Sequence, residues 1–521
     1  MTDIVFDIEA DGFLEDAKVI HCISISEDGD DPLCYGPDQL DVALRRMRYA
    51  HNLIGHNIIR YDMPMLSKHL EFTPDPGVAI RDTYLLSRMA YPDIIRKDAA
   101  ATKIPKQQWG SYSLRAFGHR LGMFKGDCED FSEYTPDMAE YCNQDVRVTH
   151  QLWGMLKKKK MSDTAVRMET QFAQLAFKME NHGIGFDSTA AVALYRRLGK
   201  RREEILSLIV DLVPPKIEEM RTPQYWLDPV TGVLYDKKKD APSAIRRELT
   251  EGPVRVKEHK FNPMSRPQVA EFLITKGWEP TAKTPTGQVR IDEAILTHID
   301  AIPEAALIAE LYRIQKISGM LAEGKKAWLL LEERGRIHPR LHTLGAYSGR
   351  TSCVNPNLQQ VPSSRLPFGE ECRALFRAEP PNLLVGCDAK SLEVRCFAHY
   401  MTKFDDGEFA DSVISGDIHS MNADMMSCDR QTAKNTFFAL IYGASSGKIA
   451  KMLDIPGRKA AALVDGLFRE RPAMRRLINK VKNRVAQTGS LTGLDGRTLK
   501  PRSPHAAVNL LIQSAGACVS K

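Results

Sequence analysis

The 521-residue sequence contains no C-x-x-C pair, no apolar run of membrane-spanning length and no basic, apolar leader at its start. Each absence excludes a class of protein. The ten cysteines, Cys22, Cys34, Cys128, Cys142, Cys353, Cys372, Cys387, Cys396, Cys428 and Cys518, are scattered without metal-like spacing. They read as reduced thiols in packed cores, not as a zinc site or a disulfide framework. The opening Thr2-Asp3-Ile4-Val5-Phe6-Asp7-Ile8-Glu9 places carboxylates where a secretory signal needs cations and an apolar stretch, so the expectation is a cytoplasmic protein with no membrane partner. A large excess of one charge is also missing. Lys and Arg total 72 against 66 for Asp and Glu, a net charge of +6, which suits a polyanionic partner without demanding one. What the chain does have is length and 43% hydrophobic residues, enough for two or three cores.

Ile4 to Ile8 is a β-favouring stretch interrupted by Asp7, with Glu9 two positions on. Strand alternation puts the two carboxylates on one side. Alone, the pair reads as an acidic strand end running into the Asp11-Gly12 turn, or as a place for a metal ion that relieves their repulsion. Two later segments add to it: Gly55-His56-Asn57 leads to Tyr61-Asp62, and Tyr141-Cys142-Asn143-Gln144-Asp145 has Tyr141 and Asp145 at i and i+4 of a helix-like stretch. Four carboxylates and a phenol are the inventory for two-metal hydrolysis of a phosphodiester. The three segments resemble, in order, the three motifs of the DnaQ-like proofreading exonucleases. The resemblance implies a ribonuclease-H-like mixed sheet with flanking helices over residues 1–160, with Asp7, Glu9, Asp62 and Asp145 as metal ligands and Tyr141 positioning the nucleophile. Asp82-Thr83 fits the same family's intermediate helix and equally a simple helix cap.

Helical periodicity runs from about Ser162 to Leu212, breaks between Pro214 and Lys260 into Pro, Gly and charge clusters such as Lys237-Lys238-Lys239, and returns at Arg266 to Trp278. The break reads as an insertion, either a solvated excursion or a basic loop for phosphates.

Further on, Tyr347-Ser348-Gly349-Arg350-Thr351-Ser352 and Pro356 to Pro362 form a turn-rich stretch with one arginine and several amides. Leu383 to Asp388 reads as a buried strand ending in an aspartate and leading through Ala389 to a helix containing Glu393; Asp388 taken alone would be an N-cap. After Gly416-Asp417-Ile418-His419, the residues Arg430, Lys434, Phe438 and Tyr442 recur every fourth position, followed by Gly443. Such a stripe is ordinarily a core face with snorkelling cations.

The pattern D-x-x-S-x-x-E-x-R at Asp388 and R-x-x-x-K-x-x-x-F-x-x-x-Y-G at Arg430, however, resemble the palm and fingers motifs of family A DNA polymerases, most closely the phage replicases of T-seven type. That likeness implies a right-hand module: a helical thumb at 161–340 with the insertion at about 214–260, a first part of an antiparallel palm sheet at 341–410, fingers at 411–490 and a second palm part beginning at 491–521. By the same likeness Asp388 binds two Mg2+ ions, with Mn2+ as a substitute, and Ala389 lends its carbonyl. Glu393 excludes a 2′-hydroxyl, Arg430, Lys434 and His419 hold the triphosphate, Phe438 packs on the sugar, and Tyr442 lies beside the templating base. Arg350, Gln359, Arg502, His505 and Gln513 contact the primer-template.

The implied activity is template-directed DNA synthesis from deoxynucleoside triphosphates in phage replication, with 3′-5′ exonuclease proofreading, in the host cell cytoplasm. The family's further His-Asp-Glu motif is not found in the sequence, which implies a palm truncated before it. Three expectations therefore stand: a polymerase completed by a C-terminal fragment or second polypeptide, an autonomous exonuclease carrying an inactive DNA-binding module, and a non-enzymatic primer-template binding protein. In the related phage enzymes the thumb insertion binds host thioredoxin, so thioredoxin or another processivity factor is a candidate partner at 214–260.

Overall fold

The computed structural model describes residues 2–101, 104–124, 128, 130–213, 215–219 and 225–521. The chain divides into two compact units: Met1–Gly183 with Pro339–Gln360 and Leu384–Lys521, and Ile184–His338 with Val361–Leu383. No helix among the described residues is long and apolar enough to cross a membrane.

The first unit begins with a five-stranded sheet formed by β1 (Asp3–Ala10), β2 (Ile20–Glu27), β3 (Leu33–Tyr35), β4 (Asn52–Gly55) and β5 (Ala79–Asp82), in the order β3-β2-β1-β4-β5. The β1/β2 and β2/β3 pairs are antiparallel, whereas β1/β4 and β4/β5 are parallel, so the sheet is mixed. β1 is central and covered on both faces. Ile4, Phe6, Ile8 and Ala10 enter a core with Met47, Leu53, Met65 and Leu66. Val5 points the other way, packing with Ile54 and Val146. Because side chains alternate along a strand, Asp7 and Glu9 share the side of Val5, and that side faces the helix Pro136–Lys157. Thr135 caps this helix by accepting from the Met138 N–H, Pro136 occupies its first turn and Lys157 its last.

The remainder of the first unit is mostly helical. Leu392–Asp405, Glu408–Ser415, Ile418–Met426, Arg430–Ile441, Pro472–Thr488 and Ala507–Ser520 pack around one core in which the rings of Phe397, Phe409 and Phe437 lie 6.0–6.1 Å apart. Two short antiparallel ladders, Arg340–His342 with Ser352–Val354 and Leu491–Thr492 with Thr498–Leu499, accompany the helices.

Residues 383–390 form no strand, which corrects the reading of Leu383 to Asp388 as a buried palm strand. Leu383 is 86% and Val385 93% exposed. The run is apolar enough for a strand, but a strand needs a ladder on at least one edge, and no described segment pairs with it.

In the second unit, the helices Ser188–Leu212 and Pro303–Ser318 are joined by a two-pronged ion pair, Arg201 Nε to Glu310 Oε1 at 2.8 Å and Nη2 to Oε2 at 3.0 Å. A four-stranded sheet includes Ile184–Phe186 and Phe376–Arg377, and Phe186, Trp328 and Phe376 form an aromatic triad. The segment expected as an insertion is not structureless: Lys216–Glu219 pairs with Val256–His259, and Trp226–Leu227 pairs with both Leu234–Tyr235 and Thr250–Glu251. Pro214, where that segment was expected to begin, lies outside the described residues.

Candidate active sites

Asp7 and Glu9 leave β1 toward the helix Pro136–Lys157, and Cys142 comes from that helix to meet them. One ligand atom from each of the three residues lies within 4.8 Å of the others. The Cys142 thiol points at the Asp7 carbonyl oxygen at 3.5 Å and at its Oδ2 at 3.9 Å. Burial and contacts with Cys22 and Cys34 push that thiol well above its ordinary pKa, so it stays protonated and donates to Asp7. Cys142 is the residue the sequence reading passed over. Its position three residues before Asp145, one turn along the same helical face, was the available signal.

Asp62 opens the helix Asp62–Leu70 and is 3% exposed; Asp145 is 2% exposed. Burial is the main reason the Asp62 carboxyl is pushed up to about 7, and the charges of Asp82 and Asp145 add to the effect against hydrogen bonds from its own and the Ile8 backbone. Tyr61 feels Asp62, Glu9, Asp7 and Asp11 together and is raised as well, chiefly by burial. These shared influences place Asp7, Glu9, Asp62 and Asp145 in one electrostatic neighbourhood. Tyr141 stands on the same helix, its ring edge-on to Phe131 at 5.9 Å.

The loop before Asp62 is held by Asp82. Its carboxylate caps the helix Thr83–Ala90 through the N–H groups of Tyr84 and Leu85, and also accepts from Asn57 N at 2.9 Å and Ile59 N at 3.2 Å. The cap reading of Asp82 thus describes what the carboxylate does. Gly55 is required at the turn: a Cβ there would lie 2.2 Å from Ile58 Cγ2 and 2.9 Å from the Phe6 carbonyl.

The second candidate site lies along Arg430–Ile441. Arg430 donates to Asp417 at 2.7 Å, and Asp417 also caps the helix that begins at Ile418. His419 is buried, with its ring 5.6 Å from Phe438, and Phe438 lies 5.9 Å from Tyr442. Nδ1 of His419 has no hydrogen-bond partner among the described residues. Burial, then Lys434 and Arg430, lower its pKa. Lys434 therefore approaches the same spot, and with the imidazole and with Arg430, whose charge is shared with Asp417, it makes this end of the helix receptive to an anion.

Glu393 connects this helix to the turn-rich loop, accepting from both Arg350 and the Tyr442 hydroxyl. Tyr442 is raised by burial and by that hydrogen bond. Gly443 stops the helix at φ +85°, where a Cβ would lie 2.0 Å from the His505 carbonyl oxygen. Arg502 lies over the Tyr347 ring at 5.2 Å, Gln359 donates to the Thr351 carbonyl at 3.2 Å, and Gln513 is half-buried on Ala507–Ser520.

Asp388 and Ala389 are not drawn into this arrangement. Both are exposed on the 383–390 run, and the Ala389 carbonyl accepts from the Leu392 N–H. Asp388 belongs to no group of three or more metal-ligating side chains among the described residues.

With the geometry in view, the chain can be placed. It belongs to DNA polymerase family A, whose family description matches residues 236–521. Among curated relatives, the DNA-directed DNA polymerase of Escherichia phage T7 is 30% identical and that of Enterobacteria phage T3 31%, each alignment covering 99% of this chain and 88% of the relative. DNA polymerase I of Aquifex aeolicus is 24% identical over 96% of this chain and 81% of its own length. Among solved structures, the polymerase domain of Pol1 from M. smegmatis, in complex with DNA primer-template and dNTP, aligns with 100% of this chain and 83% of its own at a TM-score of 0.66 and 16% identity. That last likeness establishes the fold.

Proposed function

We propose that this protein is a template-directed DNA polymerase whose N-terminal part is a ribonuclease-H-like 3′-5′ exonuclease that proofreads the primer. The observation that carries the exonuclease reading is the close approach of Asp7 and Glu9 on the central strand, beside which the buried Asp62 is raised in part by the charge of Asp145. Asp7 and Glu9 approach closely enough for a cation to relieve their repulsion, and hard carboxylate oxygens suit Mg2+, with Mn2+ as a substitute. When bound, such ions supply an activated water and offset charge on the departing oxygen. The chain's own contributions are separate from that. Asp7, Glu9, Asp62 and Asp145 would hold the ions, the Cys142 thiol packs against the Asp7 carbonyl and carboxylate at 3.5 and 3.9 Å, and Tyr141 would orient the attacking water.

For synthesis, Arg430, Lys434 and His419 hold the triphosphate of an incoming deoxynucleotide, Phe438 contacts its sugar, and Glu393 with Tyr442 closes the space a 2′-hydroxyl would need. Arg350, Gln359, Arg502, His505 and Gln513 follow the primer-template. Asp388 with Ala389, exposed and part of no cluster of three or more metal-ligating side chains among the described residues, does not make a fitted metal site. That same observation favours a second reading, an exonuclease attached to a polymerase module that binds DNA and nucleotide without extending the primer.

A labelled primer-template with magnesium separates the two. Primer shortening by the parent, abolished by Asp7→Ala with Glu9→Ala, is expected; an unshortened primer overturns the exonuclease assignment. With deoxynucleotides added, lengthening by the double variant supports the polymerase reading, and nucleotide binding without lengthening supports the second. If lengthening occurs, dideoxynucleotides should be used poorly because Phe438 lacks the phenol that replaces a missing 3′-hydroxyl, and Phe438→Tyr should narrow the gap.

A further inference from the structure

The first unit contains a cavity of about 490 Å3 whose cationic lining has no acidic counterpart. Arg88, Lys159, Lys160, Arg497 and Lys500 line it, and no Asp or Glu does. Two of the five are already engaged: Arg497 is neutralised by Glu169 and Asp495, and Arg88 donates to the Leu344 carbonyl at 3.0 Å. Lys159, Lys160 and Lys500 have no ion pair among the described residues, and neither does the adjacent Lys97. The ammonium groups of Lys97 and Lys159 lie over a single ring, Tyr91, at 4.6 and 5.5 Å from its centre. Lys97 is lowered by burial and then by the charges of Lys159 and Lys500, so the three cations repel one another where they stand. Like charges held together without a counter-ion mark a place where an anion lowers the energy.

The walls add a second requirement. Tyr112 and Tyr347 line the cavity beside Ile94, Ile95 and Met161, each with one ring face under an arginine, Arg88 at 5.0 Å and Arg502 at 5.2 Å, which leaves at most one face of each for a planar group. The volume lies in the range of small-ligand sites and exceeds what a lone phosphate needs. A phosphate on the lysine rim with a planar, stackable group against the tyrosines describes a nucleotide.

We propose that this cavity binds a nucleotide, its phosphate held by Lys97, Lys159 and Lys500 and its base against Tyr112 and Tyr347. The nucleotide is either a free monophosphate or one unit of a single strand of DNA, and the chemistry of recognition is shared. The Leu344–Gly349 loop that forms one wall is continuous with Arg350, and Arg88 belongs to the helix that Asp82 caps, so both candidate active sites adjoin the cavity through covalently continuous elements. The inference does not depend on either site being catalytic.

The test uses the full chain carrying Asp7→Ala and Glu9→Ala, without divalent metal, and a labelled oligothymidylate of about eight nucleotides. Binding is followed against salt, and an iodouracil-substituted strand is photocrosslinked and mapped. Replacing Lys97, Lys159 and Lys500 together by Ala should reduce the slope of log K on log salt by about 0.7, from loss of one single-strand phosphate contact, while Arg at the same positions retains it. Crosslinks should map to peptides containing Tyr112 or Tyr347. Protection of those peptides by millimolar thymidine monophosphate assigns the free nucleotide; protection by unlabelled oligonucleotide alone assigns the strand. An unchanged slope in the alanine variant, or crosslinks that avoid both tyrosines, overturns the proposal.

Discussion

Two aspartates expected to hold metal ions, Asp145 and Asp388, have opposite surroundings. Asp145 is 2% exposed on a capped 22-residue helix facing the central strand of a five-stranded sheet. Asp388 is exposed on a run that joins no sheet. Carboxylates arranged to bind cations are a cost to the empty fold, and a scaffold can bear it only where burial and hydrogen bonding elsewhere more than offset the repulsion. The N-terminal sheet and its helices give such a scaffold around Asp7, Glu9, Asp62 and Asp145. The helix Arg430–Ile441 has one too, packed on the Phe397, Phe409 and Phe437 core, but Asp388 does not.

The sharpest way to break that comparison is to neutralise each aspartate. Asp145→Asn should lower primer shortening by about 10^3-fold, the scale of removing one preorganised electrostatic group, while raising the melting temperature of the metal-free protein because a buried like charge is gone. Asp388→Asn should change neither quantity, as measured by gel assay and thermal melting on the same preparations. Loss of stability in Asp145→Asn would show that the carboxylate is held by attraction and not by the surrounding scaffold.

The next largest effect concerns what holds the first unit together. Glu169, fully buried, takes Lys521 Nζ on both oxygens at 2.7 Å and Arg497 at 2.7 Å, and Lys521 also donates to the carbonyls of Thr343 and Gly349 at 2.9 Å. Glu169→Ala leaves Lys521 without a counter-charge and Arg497 with Asp495 alone, and should cost about 3–5 kcal/mol, read by urea unfolding. Because Gly349 precedes Arg350, weaker primer-template binding should accompany the loss. A cost under about 1 kcal/mol would place the network with exposed pairs, whose contribution is small.

The sequence was legible where chemistry repeats at a fixed spacing. Asp7 and Glu9 on alternate strand positions, Tyr141 and Asp145 one helical turn apart, and Arg430 through Tyr442 at every fourth residue all lie on the elements those periods imply. It was misleading at Leu383 to Asp388, since an apolar run reports only what a segment would bury and not whether a partner strand exists to bury it. It offered the helix cap at Asp82 but not that carboxylate's bonds to Asn57 and Ile59, and it was silent on Cys142 and Glu169, whose roles arise from contacts across 135 to 352 residues of chain that no local pattern encodes.

A smaller effect tests the carboxylate cluster through pH. Asp62 titrates at about 7 in the fold against an ordinary 3.8, so the folded form holds a proton that the unfolded chain releases. Stability associated with Asp62 is complete below pH 3.8 and is lost as pH rises through 7. The metal-free melting temperature should therefore fall between pH 5 and pH 7.5, and Asp62→Asn should flatten the decline. Divalent metal should reverse it in the parent, since a bound cation favours the ionised form. A flat profile in the parent without metal would mean that burial does not raise the Asp62 carboxyl.

The smallest effect belongs to the second candidate site. The imidazole of His419 is lowered by burial and by Lys434 and Arg430, so at neutral pH it is uncharged and the fold gains nothing from its protonation. A triphosphate placed among these groups would cancel the two cations and raise the imidazole toward or above its ordinary value, and binding would then take up a proton. Nucleotide affinity, measured by calorimetry on the parent in buffers of different ionisation enthalpy, should strengthen by less than about tenfold as pH falls from 7.5 to 6. His419→Gln should remove that dependence and keep the affinity found at high pH. Proton uptake that persists in His419→Gln would move the triphosphate away from this helix, and the polymerase half would lose its best-formed feature along with its unassembled Asp388.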